Sequence, residues 1–402
     1  MTLAVVGYIA FAVILLVSVV LHEAGHYVAA RKFGMKATEF FVGFGPKLWS
    51  FRRGETEYGV KAIPAGGYVR ITGMTQLDEV APADERRAFY RQPALRRAVV
   101  LSAGSVVHFL IAFVLFASVP MILGRAAASL TVDGISPCVA STLGEPCGST
   151  SEPSPAAAAG LRKGDEIVSL NGARISSWPA LVTVIRAAGG GTVDLVVRRN
   201  GREVTLTPRL VVQERRATAD PARVERVPVL GAIPTIVMER SGPLAALGGA
   251  SSDLGNAVVD SFQGLAAIPA AIPDLFQQTV GGQERSADGL IGLVGIARVG
   301  GDVLGAELPL AERVGQFGLL MASLNVFIGI FNLLPLLPLD GGHLAILAFE
   351  ETRKRVYRLF GRTDPGRVDL AKLLPAAYLF LFLLMVLTLS LVAADITNPP
   401  SI

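Results

Sequence analysis

Long apolar runs bracket a polar, strand-patterned middle in this chain. Four windows, Leu3 to Leu21, Ala98 to Leu123, Phe317 to Leu337 and Leu373 to Val392, approach or exceed the roughly 20 apolar residues a helix needs to cross a bilayer core of about 30 Å. From about Arg125 to Val211 the pattern changes to short alternating strands with a single helical stretch, which predicts an independent β-rich domain. Residues 241 to 280, rich in Ala, Gly and Pro, are mildly amphipathic and predict a segment lying along the membrane surface. The pattern thus predicts a polytopic α-helical membrane protein with four transmembrane helices and an inserted β domain. Its expected divisions are a first membrane half at 1–124, the β domain at 125–211, a membrane-associated linker at 212–315 and a second membrane half at 316–402.

Composition agrees. Of 402 residues 51% are hydrophobic and 17% charged, with a mean hydropathy of +0.50, too apolar for a soluble multidomain protein. The net charge of +4 raises nucleic acid as a partner, but the basic residues form no single block and lack interleaved aromatics, so no nucleic-acid role is expected. They mark topology instead. Arg31, Lys32 and Lys36 at one end of the first loop, and Arg86, Arg87, Arg91, Arg96 and Arg97 at the other, place that loop in the cytoplasm. Arg353, Lys354, Arg355, Arg358, Arg362, Arg367 and Lys372 do the same between the third and fourth windows. Both termini and the β domain then face outward from the cell membrane. The first window resembles a signal peptide only superficially, because no positive region precedes it and basic residues follow it. The two cysteines, Cys138 and Cys147, fall in the outward segment, where a disulfide suits the compartment; a two-cysteine metal site lacks nearby histidines.

The first window ends in "HEAGH". On a helix His22 and His26 share one face, so both imidazoles reach one ion, with Glu23 beside them. The ordinary alternative is a set of polar residues marking a membrane boundary, yet the whole chain has only four histidines, and ionisable groups in a span are functional candidates. A hydrolytic zinc site needs a third protein ligand and an open position. In "SLNVFIGIFNLLPLLPLDGGH" an apolar run carrying Asn325 and Asn332 is broken by Pro335 and Pro338 before Asp340. Under the topology above, Asp340 arrives at the membrane level of the two histidines and is the natural third ligand; the alternative is a helix-ending Asp-Gly turn.

"HEAGH" together with "NLLPLLPLDGGH" resembles the site-2 proteases, intramembrane zinc metalloproteases that cut membrane-spanning substrates. The similarity continues through "FVGFGPKLWSFRRGETEYGVKAIPAGGYVRITGM", which looks like the family's membrane-associated β-hairpin, and "LSAGSVVHFLIA", which takes the place of its second-helix motif. The resemblance implies Zn2+ held by His22, His26 and Asp340, Glu23 as the catalytic glutamate and Asn332 positioning substrate. It implies a single-pass membrane protein substrate, an anti-sigma factor already trimmed outside by another protease. The second-helix motif departs from the family pattern at Ser105, in place of proline, and at His108, at or beside an asparagine. His108 either substitutes for that asparagine near the metal or pairs with a neighbouring helix. The run Ala159, Gly160, Leu161, Gly164, Asp165, Ile167, Asn171 and Gly172 resembles a PDZ domain of the bacterial protease type. Such a domain binds peptide by strand addition or serves as a size filter. The competing functional class is a non-catalytic membrane scaffold with a structural zinc, which would be indifferent to Glu23.

Overall fold

A computed structural model describes residues 2–74, 80–138, 152–216, 224–280, 289–363 and 366–398. The described chain divides into two compact units, one formed by Met1–Gly124 with Arg240–Ile402 and the other by Arg125–Glu239.

The first unit begins with helix α1 (Thr2–Lys32), strands β1 (Ala37–Arg53) and β2 (Thr56–Ile71), and helix α2 (Ala94–Ile122). After the second unit it continues with α5 (Pro243–Val280), α6 (Leu293–Gly305), α7 (Leu310–Asn332), α8 (Asp340–Leu359) and α9 (Leu374–Thr397). Four helical segments, Ala4–Lys32, Ala94–Ile122, Leu310–Asn332 and Leu370–Thr397, are long and apolar enough to cross a membrane, as the four windows predict. Their limits differ. Helix α1 runs eleven residues beyond the expected Leu21 to Lys32, because the polar sequence after Leu21 still contains good helix formers, so His22 and His26 sit inside the helix and not at its end. Helix α7 stops at Asn332, ahead of the expected Leu337, since the backbone must leave the helix before Pro335.

The bundle is built on close backbone approach, as expected where lipid offers no hydrophobic drive between helices. A Cβ on Gly7 would lie 2.6 Å from the Gly301 Cα, so α1 and α6 touch backbone to backbone there. A Cβ on Gly25 would lie 2.7 Å from the Ala103 carbonyl oxygen, which brings α1 equally close to α2. Helix α6, not expected from the apolar windows, is fixed at its start by Asp395 of α9, whose carboxylate accepts from the Gly295 backbone N–H at 2.7 Å.

Strands β1 and β2 are bent. Residues 39–42 take partners on both sides, 67–70 along one edge and 57–60 along the other. The stretch 67–71 is therefore an outer edge of the hairpin, and it is this edge that meets α1.

The second unit holds β3 (Arg125–Ile135), α3 (Pro155–Ala158), β4 (Glu166–Leu170), β5 (Ala173–Arg174), α4 (Trp178–Ala188), β6 (Gly191–Thr192), β7 (Leu195–Arg199), β8 (Arg202–Leu206), β9 (Arg209–Arg216), β10 (Val224–Val229) and β11 (Ala232–Glu239). The main sheet has the order β11-β3-β4-β7-β8 with β5 on β4, and β10-β9-β6 form a second. Leu181 and Ile185, one turn apart on α4, pack on Ile167, Leu170, Leu195 and Val197 of the sheet. The unit extends to Glu239, past the expected limit at Val211, because β11 pairs with β3 at its very beginning. The expected linker thus starts inside this unit. Cys138 is buried; Cys147 lies outside the described residues, and with it the expected disulfide.

Asp165 is the buried charged residue among the described residues of this unit. Its carboxylate accepts two hydrogen bonds from Arg199, at 2.8 and 2.7 Å, and one from the Arg162 backbone N–H at 2.8 Å. Arg199 holds the Asp165 carboxyl below its ordinary range. Because the folded-state value is depressed, the stabilisation is whole at neutral pH and disappears as pH falls through the carboxylate range and below. Asp165→Asn should lower the stability of this unit by about 1.5–3 kcal/mol at pH 7, the worth of hydrogen bonds to a charged group. Denaturant melts of wild type and variant at pH 7 and pH 4 check this, with the gap expected to narrow at the lower pH.

Candidate metal centre

Three elements carry the site. Helix α1 presents His22 and His26 on one face, one turn apart, both buried. Asp340 is the first residue of α8. It arrives there because the chain turns back between Leu333 and Leu339, and Gly341 and Gly342 let α8 pack against that turn: a Cβ on Gly342 would lie 2.7 Å from the Leu337 nitrogen. An acidic residue in the first helical turn also suits the helix dipole.

The donor atoms converge. His22 Nε2 lies 3.1 Å from His26 Nε2, and Asp340 Oδ2 lies 3.2 Å from the first and 3.1 Å from the second. Among the described residues this is the group of His, Cys, Asp and Glu side chains arranged to share an ion. The tautomers support that reading. His26 Nδ1 stands 2.7 Å from the Val100 carbonyl oxygen, to which only an N–H can donate, so in the neutral ring the lone pair is on Nε2. With both rings neutral and their Nε2 atoms bare, two imidazole lone pairs and a carboxylate oxygen would converge on one cation. Their separations are close to the edge of roughly 3.3 Å expected for a tetrahedron with zinc bonds of about 2.0–2.1 Å. Helix α2 leaves the space: a Cβ on Gly104 would stand 2.5 Å from both Nε2 atoms. The residues present fit zinc.

Glu23 is one residue round α1 from His22. Its Oε2 accepts a hydrogen bond from the Val69 backbone N–H at 3.1 Å, so the outer edge of the hairpin holds this carboxylate. Gly67 on the same edge would place a Cβ 3.5 Å from Glu23 Cγ. Asn332 is half-buried at the last residue of α7, and no hydrogen bond among the described residues ties it to the three donors. His108 pairs with a neighbouring helix: its Nδ1 lies 2.9 Å from Asn325 Oδ1 of α7, both side chains buried. Gly104, the Val100 carbonyl and the Val69 N–H are functional groups that spacing alone does not reveal. A glycine inside an apolar span hinted at the first; backbone groups leave no sequence signal.

A helical membrane bundle with two histidines and a carboxylate converging beside a glutamate is the arrangement of a metal-dependent hydrolase. The model of peptidase family M50 matches residues 10–363. The chain is 36% identical over 407 residues to zinc metalloprotease Rip1 of Mycolicibacterium smegmatis, covering 99% of this chain and 98% of that protein. It is 36% identical over 408 residues to Rip1 of Mycobacterium tuberculosis, covering 98% of each. Metalloprotease MmpA of Caulobacter vibrioides is 32% identical over 393 residues, with 90% of each chain covered. The chain belongs to peptidase family M50, the site-2 protease family, and is a multi-pass membrane zinc metalloprotease.

Proposed function

We propose that the protein is an endopeptidase that cleaves the transmembrane segments of single-pass membrane proteins, with His22, His26 and Asp340 as zinc ligands and Glu23 as general base. The observation that carries this reading is the convergence of three donor atoms beside Glu23, inside a helix apolar enough to span a bilayer. Zinc bound there supplies a Lewis acid that polarises a carbonyl and acidifies water. Glu23 takes a proton from the attacking water and passes it to the leaving amide nitrogen. The Val69 N–H holds one carboxylate oxygen of Glu23 and leaves the other for the proton transfer. A helical substrate hides its peptide bonds, and the hairpin together with the extended segment that follows Asn332 would pair with an unwound substrate strand and so expose the bond.

Access is supported by an apolar cavity of about 830 Å³ lined by Leu15, Leu16 and Val19 of α1, the hairpin residues Pro64 to Gly66, and Leu293 of α6. Val19, the lining residue of α1 nearest the site, is one turn before Glu23. A scaffold with structural zinc would leave Glu23 idle, although the fold commits a hairpin edge to hold it.

The finer reading is an anti-sigma factor substrate, trimmed first by a protease outside the cell membrane, with the second unit a PDZ domain that faces outward and binds peptide or filters by size. The arginine clusters flanking the spans support the orientation. A reporter fused after Arg86 should therefore be cytoplasmic and one fused after Gly201 extracytoplasmic; both on one side would contradict it. The proposed disulfide between Cys138 and Cys147 belongs with the same outward placement. Substrate identity is tested by mass spectrometry of membranes from cells carrying Glu23→Gln, in which single-pass proteins lacking their outer domains should accumulate. If their levels match wild type, the anti-sigma-factor reading fails.

A further inference from the structure

The two imidazoles at the metal centre are not held alike. A metal-ligating histidine almost always donates its other ring N–H to an acceptor, which fixes the ring and raises its basicity. His26 does so, to the Val100 carbonyl. With His22 Nε2 facing the other two donors, His22 Nδ1 must carry the hydrogen, yet this buried atom has no hydrogen-bond partner among the described residues.

An acceptor without a partner belongs to the neighbouring ring, His108. Asn325 Nδ2 donates to the Met321 carbonyl at 2.8 Å, which orients the amide and leaves Oδ1 facing His108 Nδ1. A carbonyl oxygen accepts only, so the hydrogen of His108 is on Nδ1 and its Nε2 is a bare acceptor. That Nε2 is buried and likewise without a partner among the described residues, and the His108 ring is 5.0 Å from the His22 ring, centre to centre. A third unpartnered buried atom, Ser105 Oγ, lies one turn before His108 on α2, beside the Gly104 that faces His22. One donor, one acceptor and one hydroxyl are the three polar partners that a buried water typically takes.

We infer that His108, locked in its Nδ1–H tautomer by Asn325, is a positioning residue for the metal centre: through one water shared with Ser105 it accepts the Nδ1–H of His22 and so fixes that ligand. The inference rests on His22 being a zinc ligand. It gives the polar pair on α2 and α7 a role beyond joining two helices, and explains why an imidazole, with a donor at one depth and an acceptor at another, suits position 108.

The test uses the full-length protein in detergent micelles, titrated with zinc against a competing chelator. An asparagine amide ends at the level of Nδ1 and a glutamine amide near that of Nε2. His108→Asn thus keeps a partner for Asn325 but withdraws the acceptor near His22, and His108→Gln restores an acceptor there. The Asn variant is expected to bind zinc about 10–100-fold more weakly, the usual cost of losing such a partner, with an unchanged thermal melt, while the Gln variant stays within a few-fold of wild type. Equal zinc affinity in wild type and the Asn variant, or equal weakening in both variants, overturns the inference. A second measurement needs no substitution: imidazole nitrogen resonances of the zinc-loaded wild type should show His22 and His108 both protonated at Nδ1, and a His108 protonated at Nε2 overturns it as well. Failure of the underlying ligand assignment looks different, because wild type would then bind no zinc or Asp340→Ala would bind it unweakened.

Discussion

Glu23→Gln should stop cleavage while leaving zinc in place. The amide keeps nearly the shape of the carboxylate and can still accept the Val69 N–H through its oxygen, so neither α1 nor the hairpin edge is disturbed. What it cannot do is take a proton from water. General-base catalysis is worth about 10²–10⁴-fold, and a loss of at least that size is expected in the cleavage rate of a tagged single-pass substrate, with zinc per chain by elemental analysis equal to wild type. Asp340→Ala is the complementary case. It removes the one anionic donor and leaves two imidazoles, so zinc content and activity should fall together. A Glu23→Gln protein that still cuts would leave Glu23 without the proposed role.

The second large effect comes from a residue that touches no substrate. Gly104→Ala adds one carbon at a point 2.5 Å from both His22 Nε2 and His26 Nε2 and closer still to His22 Cε1. Real Cβ atoms do not approach so near, and neither helix has freedom to yield, since α1 already meets the backbone of α2 at Gly25. Either the imidazoles rotate away from the shared point or the helices part. Both outcomes separate the donors, and a ligand displaced by even 1 Å no longer closes the frame. Zinc affinity should drop by at least the 10–100-fold seen for losing an outer partner, and activity with it. The control is Gly248→Ala on α5, where an added Cβ meets nothing within 4 Å and full zinc content is expected. Equal zinc in the Gly104 variant and wild type would show that α2 does not shape the site.

What could be read from the sequence followed from local spacing. His22 and His26 are four residues apart, and that alone fixes their common face once a helix is assigned. Asp340 could be placed because two prolines end the preceding helix and topology returns the chain to the same membrane level. Long-range contacts could not be read in this way. Nothing local in "AIPTIVME" says that it closes the sheet against residues 125–135, so the β unit extends further than the alternation implied. Helix α8 shows in the sequence only as a basic connection, because its charges mark topology before they mark a helix. The bend of the hairpin that brings Val69 to Glu23 depends on a register that is not evident in strand propensity. His108 and Asn325 were each visible as a lone polar residue in an apolar span, the usual signature of a partner across the bundle; their pairing needed the crossing of α2 and α7.

The most direct measurement of the central claim is the position of the cut. Purified full-length protein is reconstituted in lipid vesicles with a single-pass substrate lacking its outer domain, and the products are mapped by mass spectrometry. Cleavage within the membrane-spanning segment, abolished by Glu23→Gln and by chelation of zinc, is the expected result. A cut confined to residues outside the span, or one that persists in Glu23→Gln, would contradict it.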